Sequence, residues 1–513
     1  MLNWPHRQWA AKSAALSAAL TALIPFEFKI LGNLKRRFPL VIVGVIETGT
    51  PFLRMFALTH ILSLLEVGFV SVLTAFHGFF ELSTDVAIYR FVFAAPKKQY
   101  EEALAAAHAL SIVRGFSVCL LALCAAPFVA KAVSLGAYWT SFAALAPAIV
   151  VRSFEHMSPR VAERDYRYWP QVKATGISMA LSLVVLTIVA LTTRTHVAII
   201  ASIYTQVISM FFLSRLFADV PYRLDFHSPL FKAAFRFAYP LLANGLGLSI
   251  ALQGDRFIVA GLFDLKTLAL YSVIMLAAIV PMFLMGRVLQ STILARLFHA
   301  SSQPERLNRE VRLASSVVAF LASAYGGGVI LLTNPVVTLV FGQKFHAGNV
   351  AMMFLGAGCL VRLVRSEPFT SLMLNASRTK RLAASNVVAS SSLAFMVLFS
   401  FFDRSIEAVL AARFLGEAAS LAVTFLMARR TPEGGRFVFS MSTVIGFVFG
   451  GVACLESALL ERAGHSVALL LAACAAYAVA VLFWGAVDLR RGMKMLRGAI
   501  APASKLETDA LAS

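Results

Sequence analysis

Charged residues are scarce in this sequence, and acidic residues are the scarcer kind. Only 14% of the 513 residues are charged, with 26 acidic residues against 46 basic ones. The hydrophobic fraction is 59% and the mean hydropathy is +0.78. A typical soluble domain has about 25% charged residues. This composition therefore excludes a soluble protein and indicates a chain that crosses a membrane many times.

Motifs for metal, redox and nucleotide chemistry are also missing. The chain has five cysteines, all within apolar stretches and none in a CxxC pair, which favours buried thiols over metal or redox sites. There is no GxxxxGK[ST] loop for ATP and no HExxH zinc motif. No connection between apolar segments is long enough to fold as a domain. We therefore predict that the protein is not an enzyme and has neither cofactor nor metal.

Apolar windows of spanning length occupy most of the chain. A membrane-spanning helix needs about 20 consecutive apolar residues, and about fourteen such windows are present. The windows are 38–59, 67–93, 104–130, 139–157, 174–193, 196–217, 233–262, 267–290, 313–341, 348–374, 382–402, 405–428, 437–459 and 466–488. The sequence thus predicts an all-α, polytopic membrane protein with about fourteen transmembrane helices.

The connections between these windows alternate in charge. Those on one side carry about 30 lysines and arginines, because cytoplasmic loops are enriched in basic residues. No connection on the other side has more than one lysine or arginine, and six of them have one. These six residues are Lys131, Arg194, Lys266, Lys344, Arg404 and Arg462. The pattern predicts that both termini are cytoplasmic and explains much of the net charge of +20 without nucleic acid.

An internal repeat divides the spans into two sets. Pro39, Leu40 and Gly44 recur 201 positions later as Pro240, Leu241 and Gly245, and Arg152 lies opposite Arg362 in a second match. Six spans separate the copies, so both halves have the same orientation, as in transporters built from parallel repeats. We expect two six-helix lobes related by a pseudo-two-fold axis along the membrane normal. The expected regions are an interfacial or cytoplasmic arm (1–34), the lobes (35–222 and 223–430), two further spans (431–490) and a cytoplasmic tail (491–513).

Eight arginines lie within the predicted spans. They are Arg54, Arg114, Arg152, Arg256, Arg287, Arg362, Arg365 and Arg413. Each would cost roughly 2.5–3.5 kcal/mol at the bilayer centre if it faced lipid. We therefore expect most of them to line a hydrated cavity that holds a large anion.

Two of these arginines have a carboxylate one helical turn away. Arg152 with Glu155 and Arg413 with Glu417 could form ion pairs within their own helices. A guanidinium fork also suits bidentate binding of phosphate. The residues predicted to bind the substrate are Arg54, Arg114, Arg152, Arg256, Arg362 and Arg365.

Carboxylates inside the spans are candidates for ion coupling, and these are Glu47, Glu81, Asp85 and Asp255. Glu81 and Asp85 are one turn apart, so we expect one of them to be protonated or engaged by an arginine. Asp255 could bind an ion or an arginine of the other lobe. Gly49 and Pro51 near Glu47, and Gly245 and Gly247 before Asp255, predict interrupted helices at corresponding places, which is typical of transport sites.

The stretch from Phe237 to Gly245, with Gln253 to Gly261 and Leu268 to Val273, resembles polysaccharide flippases of the multidrug, oligosaccharidyl-lipid and polysaccharide exporter superfamily. The stretch from Ile61 to Phe69 is similar to the family's first external turn. The resemblance implies a monomeric transporter in the bacterial cytoplasmic membrane. Its partners would be membrane lipid, a lipid-linked glycan of the undecaprenyl-diphosphate type and enzymes such as a polymerase or glycosyltransferase, and its cavity would be cationic.

Three alternatives remain open from the sequence. A drug or cation antiporter of the same superfamily should have an acidic cavity with few arginines. A membrane glycan ligase or polymerase usually has a large external loop, which this chain lacks. A flippase for the peptidoglycan precursor shares the architecture and an arginine-lined cavity, so the sequence does not separate it from the first interpretation.

Overall fold

The structure is a computed structural model of the chain. The part of the chain that it describes comprises residues 44, 46, 49–84, 88–165, 167–300, 303–367, 369–375, 379–429, 441–463 and 467–500. Glu47, Asp85 and the arm at 1–34 lie outside the described residues, as do most of the residues of the tail.

Every regular element in the described part of the chain is helical. In chain order the helices are α1 (49–61), α2 (Leu64–Ser83), α3 (Tyr89–Ala94), α4 (Tyr100–Ala132), α5 (Trp139–Ala143), α6 (Ala146–Ser153), α7 (Ser158–Val161), α8 (Trp169–Thr193), α9 (Val197–Leu216), α10 (Pro229–Ile258), α11 (Leu265–Ala300), α12 (Pro304–Phe341), α13 (Asn349–Ser366), α14 (Phe369–Asn375), α15 (Thr379–Ala389), α16 (Ser391–Phe399), α17 (Ile406–Arg429), α18 (Met441–Ala463) and α19 (Val467–Ile500). Short 3₁₀ turns join several of them.

Ten helices within the described ranges are long and apolar enough to cross a membrane, and shorter apolar helices occupy Ala384–Phe399 and Val444–Leu460. At a rise of about 1.5 Å per residue, the 33 residues of α4 and the 38 of α12 exceed the hydrocarbon thickness of about 30 Å. The prediction of an all-helical, multi-pass membrane protein is confirmed. The count of fourteen spans and the two-lobe symmetry stay predictions.

The outer surface of these helices is apolar. Phe128 of α4, Leu339 of α12 and Phe483 of α19 are 76%, 85% and 73% exposed. Such large apolar side chains are favourable on the outside only where lipid replaces water. Inside, the main apolar cluster extends from α1 to α17, and smaller buried clusters lie beside it.

Helix α2 lies at the centre of the packing, against both α10 and α11. Two glycines allow this close approach. A Cβ atom added at Gly68 would lie 2.0 Å from the carbonyl oxygen of Leu265, and one added at Gly245 would lie 2.7 Å from that of Ser83. No side chain fits at these distances, so glycine is required where the backbones meet.

The helix interruption predicted at Gly245 and Gly247 is wrong. Helix α10 runs without a break from Pro229 to Ile258, because Gly245 serves the contact with α2 rather than a kink. The irregular segment is a single π-helical turn at Val259–Phe263, just after the helix. In the first half, residues 49–61 are also continuously helical, including Pro51.

Two buried histidines hold the connection between α9 and α10. His108 Nδ1 lies 3.3 Å from the carbonyl oxygen of Arg223, and His156 Nε2 lies 3.0 Å from that of Val220. The ring of Tyr222 stacks on His108 with centroids 4.4 Å apart. This connection between the two halves of the sequence is therefore fixed to the amino-terminal helices.

The last two described helices pack against α12. The hydroxyl of Tyr477 in α19 donates to the carbonyl oxygen of Ser323 at 2.8 Å, and its ring lies directly over Gly327. The ring of Phe320 in α12 likewise covers Gly485. These helices therefore extend the carboxyl-terminal half rather than bridge the two halves.

Candidate functional site: an arginine cluster around α2

One face of α2 carries two titratable side chains. His77 and Glu81 are one turn apart, with His77 Nε2 3.4 Å from Glu81 Oε2. Their side chains are 9% and 22% exposed. A carboxylate this well buried requires a cation partner, and arginines from neighbouring helices provide it.

Arg152 of α6 is the direct partner of Glu81. Its Nη1 lies 2.5 Å from Glu81 Oε1, while its side chain remains 39% exposed. Of the two alternatives expected for one of the carboxylates Glu81 and Asp85, protonation or engagement by an arginine, the structure shows an arginine at Glu81, and the charge of Arg152 also acts on Glu155. Helix α6 ends at Ser153, so Glu155 lies beyond the helix and the spacing of one turn does not apply.

Arg54 of α1 reaches the same region with neutral partners. Its Nη2 donates to Ser182 Oγ at 2.9 Å and to Gln206 Oε1 at 2.7 Å. The charge of Glu81 also acts on Arg54, so the two groups are near each other. Neutral partners orient the guanidinium and leave its charge available for an anion.

Arg114 of α4 binds the carboxyl end of α2, close to Glu81. Its Nη1 donates to the carbonyl oxygen of Thr84 at 2.9 Å, and Thr84 caps the carboxyl end of α2. A cation is favourable there because the helix dipole is negative at that end. Glu81 also interacts with the charge of Arg114.

Arg256 of α10 borders this group from the second half of the chain. Its Nη1 donates to Gln253 Oε1 at 3.1 Å. Gln253 packs on Gly78 of α2, where an added Cβ would lie 3.1 Å from Gln253 Nε2. Arg256 therefore lies beside α2, next to the region of His77 and Glu81, and its charge also acts on Tyr271 of α11. Four of the six predicted arginines are thus found around α2. We refer to Arg54, Arg114, Arg152 and Arg256 as the α2 arginine cluster.

A second network of charged residues joins α10, α11, α13 and α17, and it consists of Asp255, Arg362, Arg365, Arg413 and Glu417 together with the hydroxyl of Tyr271. Asp255 Oδ2 accepts hydrogen bonds from Arg413 Nη1 at 2.6 Å and from the hydroxyl of Tyr271 at 2.5 Å. Arg413 also donates to the hydroxyl of Tyr271 at 2.8 Å. Asp255 therefore binds an arginine of its own half rather than one of the other half, and this pair replaces the possible bond between Arg413 and Glu417.

Glu417 instead binds the two arginines of α13. Its carboxylate lies 3.3 Å from Arg362 Nη1 and 3.1 Å from Arg365 Nε. Arg365 is 8% exposed and also donates to Ser385 and Asn386. Contacts of this kind tie α13 to α17 and α15, and they differ from the neutral contacts of Arg54.

A small cavity adjoins this second network, with a volume of about 20 Å³. The residues around it include Met275, Met282, Phe354, Arg362, Arg413 and Glu417. A cavity of this size holds one or two water molecules. It is too small for a sugar, so a glycan cannot bind in it in this conformation.

Several residues of these networks were missed by sequence reasoning. His77 could have been found, because it lies one turn before Glu81 on the same helix. Ser182 and Gln206, the partners of Arg54, gave no signal because they lie in other helices far along the chain. The side chain of Arg287 lies outside the described residues, so its surroundings are not described. In the described part of the chain, no group of three histidines, cysteines or carboxylates is placed to hold a metal ion.

Solved structures with the same fold are transporters. A lipid II flippase, MurJ, in an inward closed conformation aligns with a TM-score of 0.62 and 13% identity over 87% of this chain and 99% of that one. An inward-facing multidrug resistance transporter of the MATE family aligns with a TM-score of 0.55 and 13% identity over 83% and 99%. Both have the fold of the superfamily that the sequence resembles. At 13% identity, the similarity establishes a shared fold and nothing about substrate.

The sequence also matches a protein family directly. No curated protein sequence matches the chain. Residues 57–348, which include most of the α2 arginine cluster, match the family described as "Polysaccharide biosynthesis protein". The chain therefore belongs to the polysaccharide biosynthesis protein family and has the fold of the MOP superfamily transporters.

Proposed function

We propose that this protein moves an isoprenoid-diphosphate-linked oligosaccharide from the cytoplasmic to the external leaflet of a bacterial cytoplasmic membrane. The observation that carries the proposal is that arginines of α1, α4 and α6 meet around Glu81 of α2, with Arg256 of α10 next to them at the contact between α10 and α2. Among the described residues, Glu81 forms an ion pair with Arg152 of the cluster, and Glu155 interacts with the charges of Arg152 and Arg114, so four arginines are matched by two carboxylates. The cluster thus carries excess positive charge, which suits a diphosphate.

The arginines divide by role in this proposal. Arg54 and Arg256, which have neutral partners, hold the diphosphate directly. Arg152 joins them when its bond to Glu81 opens, and Arg114 adds charge from the end of α2. The contacts of Arg362 and Arg365 with Glu417 favour a structural role for these two residues.

Transport proceeds by alternating access between two six-helix lobes, residues 35–222 and 223–430, with both termini in the cytoplasm. The two spans within 431–490 support the second lobe. Opening one end of the interface between α2 and helices α10 and α11 while closing the other would expose the α2 arginine cluster to each leaflet in turn. The sugar would remain in the hydrated interior while the lipid tail stays in the bilayer.

Ion coupling is assigned to Glu81 and Asp255, each of which holds an arginine in this conformation. A carboxylate that exchanges its arginine for a cation changes the local charge by one unit and so biases the conformational equilibrium. Glu47 and Asp85 remain candidates for the same role on the basis of their positions in the sequence.

The direct test is export in the native host. We expect Arg54→Ala or Arg256→Ala to abolish surface polysaccharide and to leave lipid-linked oligosaccharide in the inner leaflet, with normal amounts of protein in the membrane. Arg404→Ala is the matched control, because Arg404 is exposed in a connection away from the cluster. Normal export by both cluster variants would contradict the proposed site.

Lipid II is the second candidate substrate, because the MurJ structure that shares this fold is a lipid II flippase. Both substrates present the same kind of anion, so the arginine cluster serves either. The two are separated by complementation. Rescue of a strain depleted of its lipid II flippase would favour lipid II, whereas loss of surface polysaccharide without a growth defect on deletion would favour the oligosaccharide.

A further inference from the structure

His77 is a buried histidine next to the α2 arginine cluster, and it has no role in the transport cycle proposed above. The residue is 8% exposed and lies in the middle of α2. Its Nε2 faces Glu81 at 3.4 Å, and its buried Nδ1 has no hydrogen-bond partner among the described residues. A buried nitrogen without a hydrogen bond lowers the stability of the folded protein, so its presence calls for an explanation.

The charges around His77 come from four helices. Glu81 is on its own helix, and Arg152 of α6 and Arg54 of α1 act directly on it. Arg114 of α4 and Glu155 act on the same region through Glu81 and Arg152. An ionised carboxylate only accepts hydrogen bonds, so the neutral ring carries its proton on Nε2 and a second proton would add at Nδ1.

We propose that protonation of His77 raises the affinity of the α2 arginine cluster for the diphosphate head group. The proposal rests on the function proposed above and names the group that links proton binding to substrate binding at that site. Coupling would then involve His77 in addition to Glu81 and Asp255.

Two effects act in the same direction when His77 gains a proton. The imidazolium competes with Arg152 for the carboxylate of Glu81, which releases the guanidinium fork of Arg152 toward an anion. The added positive charge near Arg54 is unfavourable without an anion and favourable with one. Proton and anion therefore strengthen each other's binding, as linkage requires.

The contact between α2 and α10 lies beside His77. Gln253, the partner of Arg256, packs on Gly78, and the rings of Phe79 and Phe257 are 6.0 Å apart. A change in charge at His77 thus acts where the two halves of the chain meet and where Arg256 is held.

The test measures binding of a short-chain isoprenyl diphosphate sugar to the purified full-length protein across pH values from about 8 down to about 5, the range in which an imidazole titrates. The diphosphate of this probe is a diester and keeps its charge over the range. Wild-type affinity should rise about fivefold or more as the pH falls. Binding in weak buffer should also take up protons.

His77→Gln keeps hydrogen-bonding groups but cannot titrate, so its affinity should not change with pH and binding should take up no protons. His60→Gln is the matched control, because His60 is an exposed histidine of α1, and it should behave as wild type. The wild-type profile tests the proposal even if His77→Gln does not fold.

The possible failures are distinguishable. Wild-type binding that does not change with pH, or a His77→Gln variant with the wild-type profile, would overturn the role of His77 and leave the proposed transport intact. No binding of the probe together with normal surface polysaccharide in a deletion strain would overturn the proposed function and this inference with it.

Discussion

Each buried arginine of this protein is defined by the partner that its guanidinium meets. Arg54 meets the neutral oxygens of Ser182 and Gln206, whereas Arg365 meets the carboxylate of Glu417. A neutral partner orients the cation, but a carboxylate also cancels its charge. The first kind suits binding of an anionic substrate and the second suits the joining of helices.

Glu417→Gln tests the joining role. The substitution leaves Arg362 and Arg365 without their shared counter-charge, and removing one partner of a buried ion pair costs roughly 3–5 kcal/mol. We expect a clear fall in the melting temperature of the detergent-solubilised protein. Glu102→Gln, at an exposed carboxylate near the start of α4, should leave it unchanged. An equal melting temperature for both variants would show that the network contributes little to stability.

Helix α2 is the element that helices of both halves of the chain contact. It is flanked by α10 and α11, and its histidine and carboxylate face the arginines. The glycine at 245 sets how closely α10 can approach it. Backbone packing and the position of Arg256 are therefore linked.

Gly245→Ala and Gly247→Ala form a matched pair on α10. A Cβ at Gly245 meets the carbonyl oxygen of Ser83 at 2.7 Å, while one at Gly247 meets nothing within 4 Å. Overpacking should cost Gly245→Ala about 1–3 kcal/mol. Gly247→Ala should be neutral or gain up to about 1 kcal/mol from helix propensity. Thermal melting and export assays would compare them, and equal behaviour would contradict the close contact of α10 with α2.

The two halves of the chain are joined by a polar contact just after the carboxyl ends of α1 and α12. Lys344 Nζ donates to the carbonyl oxygen of Leu62 at 2.8 Å. The rings of Phe52 and Phe341 are a second contact between α1 and α12, with centroids 5.3 Å apart. A carbonyl at the end of a helix has no partner within it, so the lysine is a favourable cap.

Lys344→Met should favour opening at this end of the molecule. Loss of one charge-assisted hydrogen bond, partly exposed to solvent, corresponds to a shift of about fivefold in the equilibrium. The measurement is the rate of thiol labelling of Phe341→Cys, normally buried, in a cysteine-free background. Lys266→Met is the control, because Lys266 is an exposed lysine at the start of α11. Labelling at the same rate in both variants would exclude Lys344 as a closing contact.

Much of the architecture could be read from hydropathy, because a spanning helix satisfies its backbone internally and its apolar length is local information. Each of the ten helices of spanning length falls on a predicted window. The interruption predicted in span seven is wrong, because a glycine in a helix can mark either a kink or a close contact with another helix. Only the neighbour of Gly245 distinguishes the two.

Hydropathy and composition alone identify a multi-pass helical membrane protein and show that it has too many internal arginines for all of them to face lipid. Tertiary structure decided which arginines keep their charge available. Arg54 and Gln206 are 152 residues apart, and Arg413 and Asp255 are 158 residues apart. The residue type decides which partners a side chain can bind. The packing of helices that are distant in the sequence decides which partner lies beside it, and a local sequence pattern holds no information about that packing.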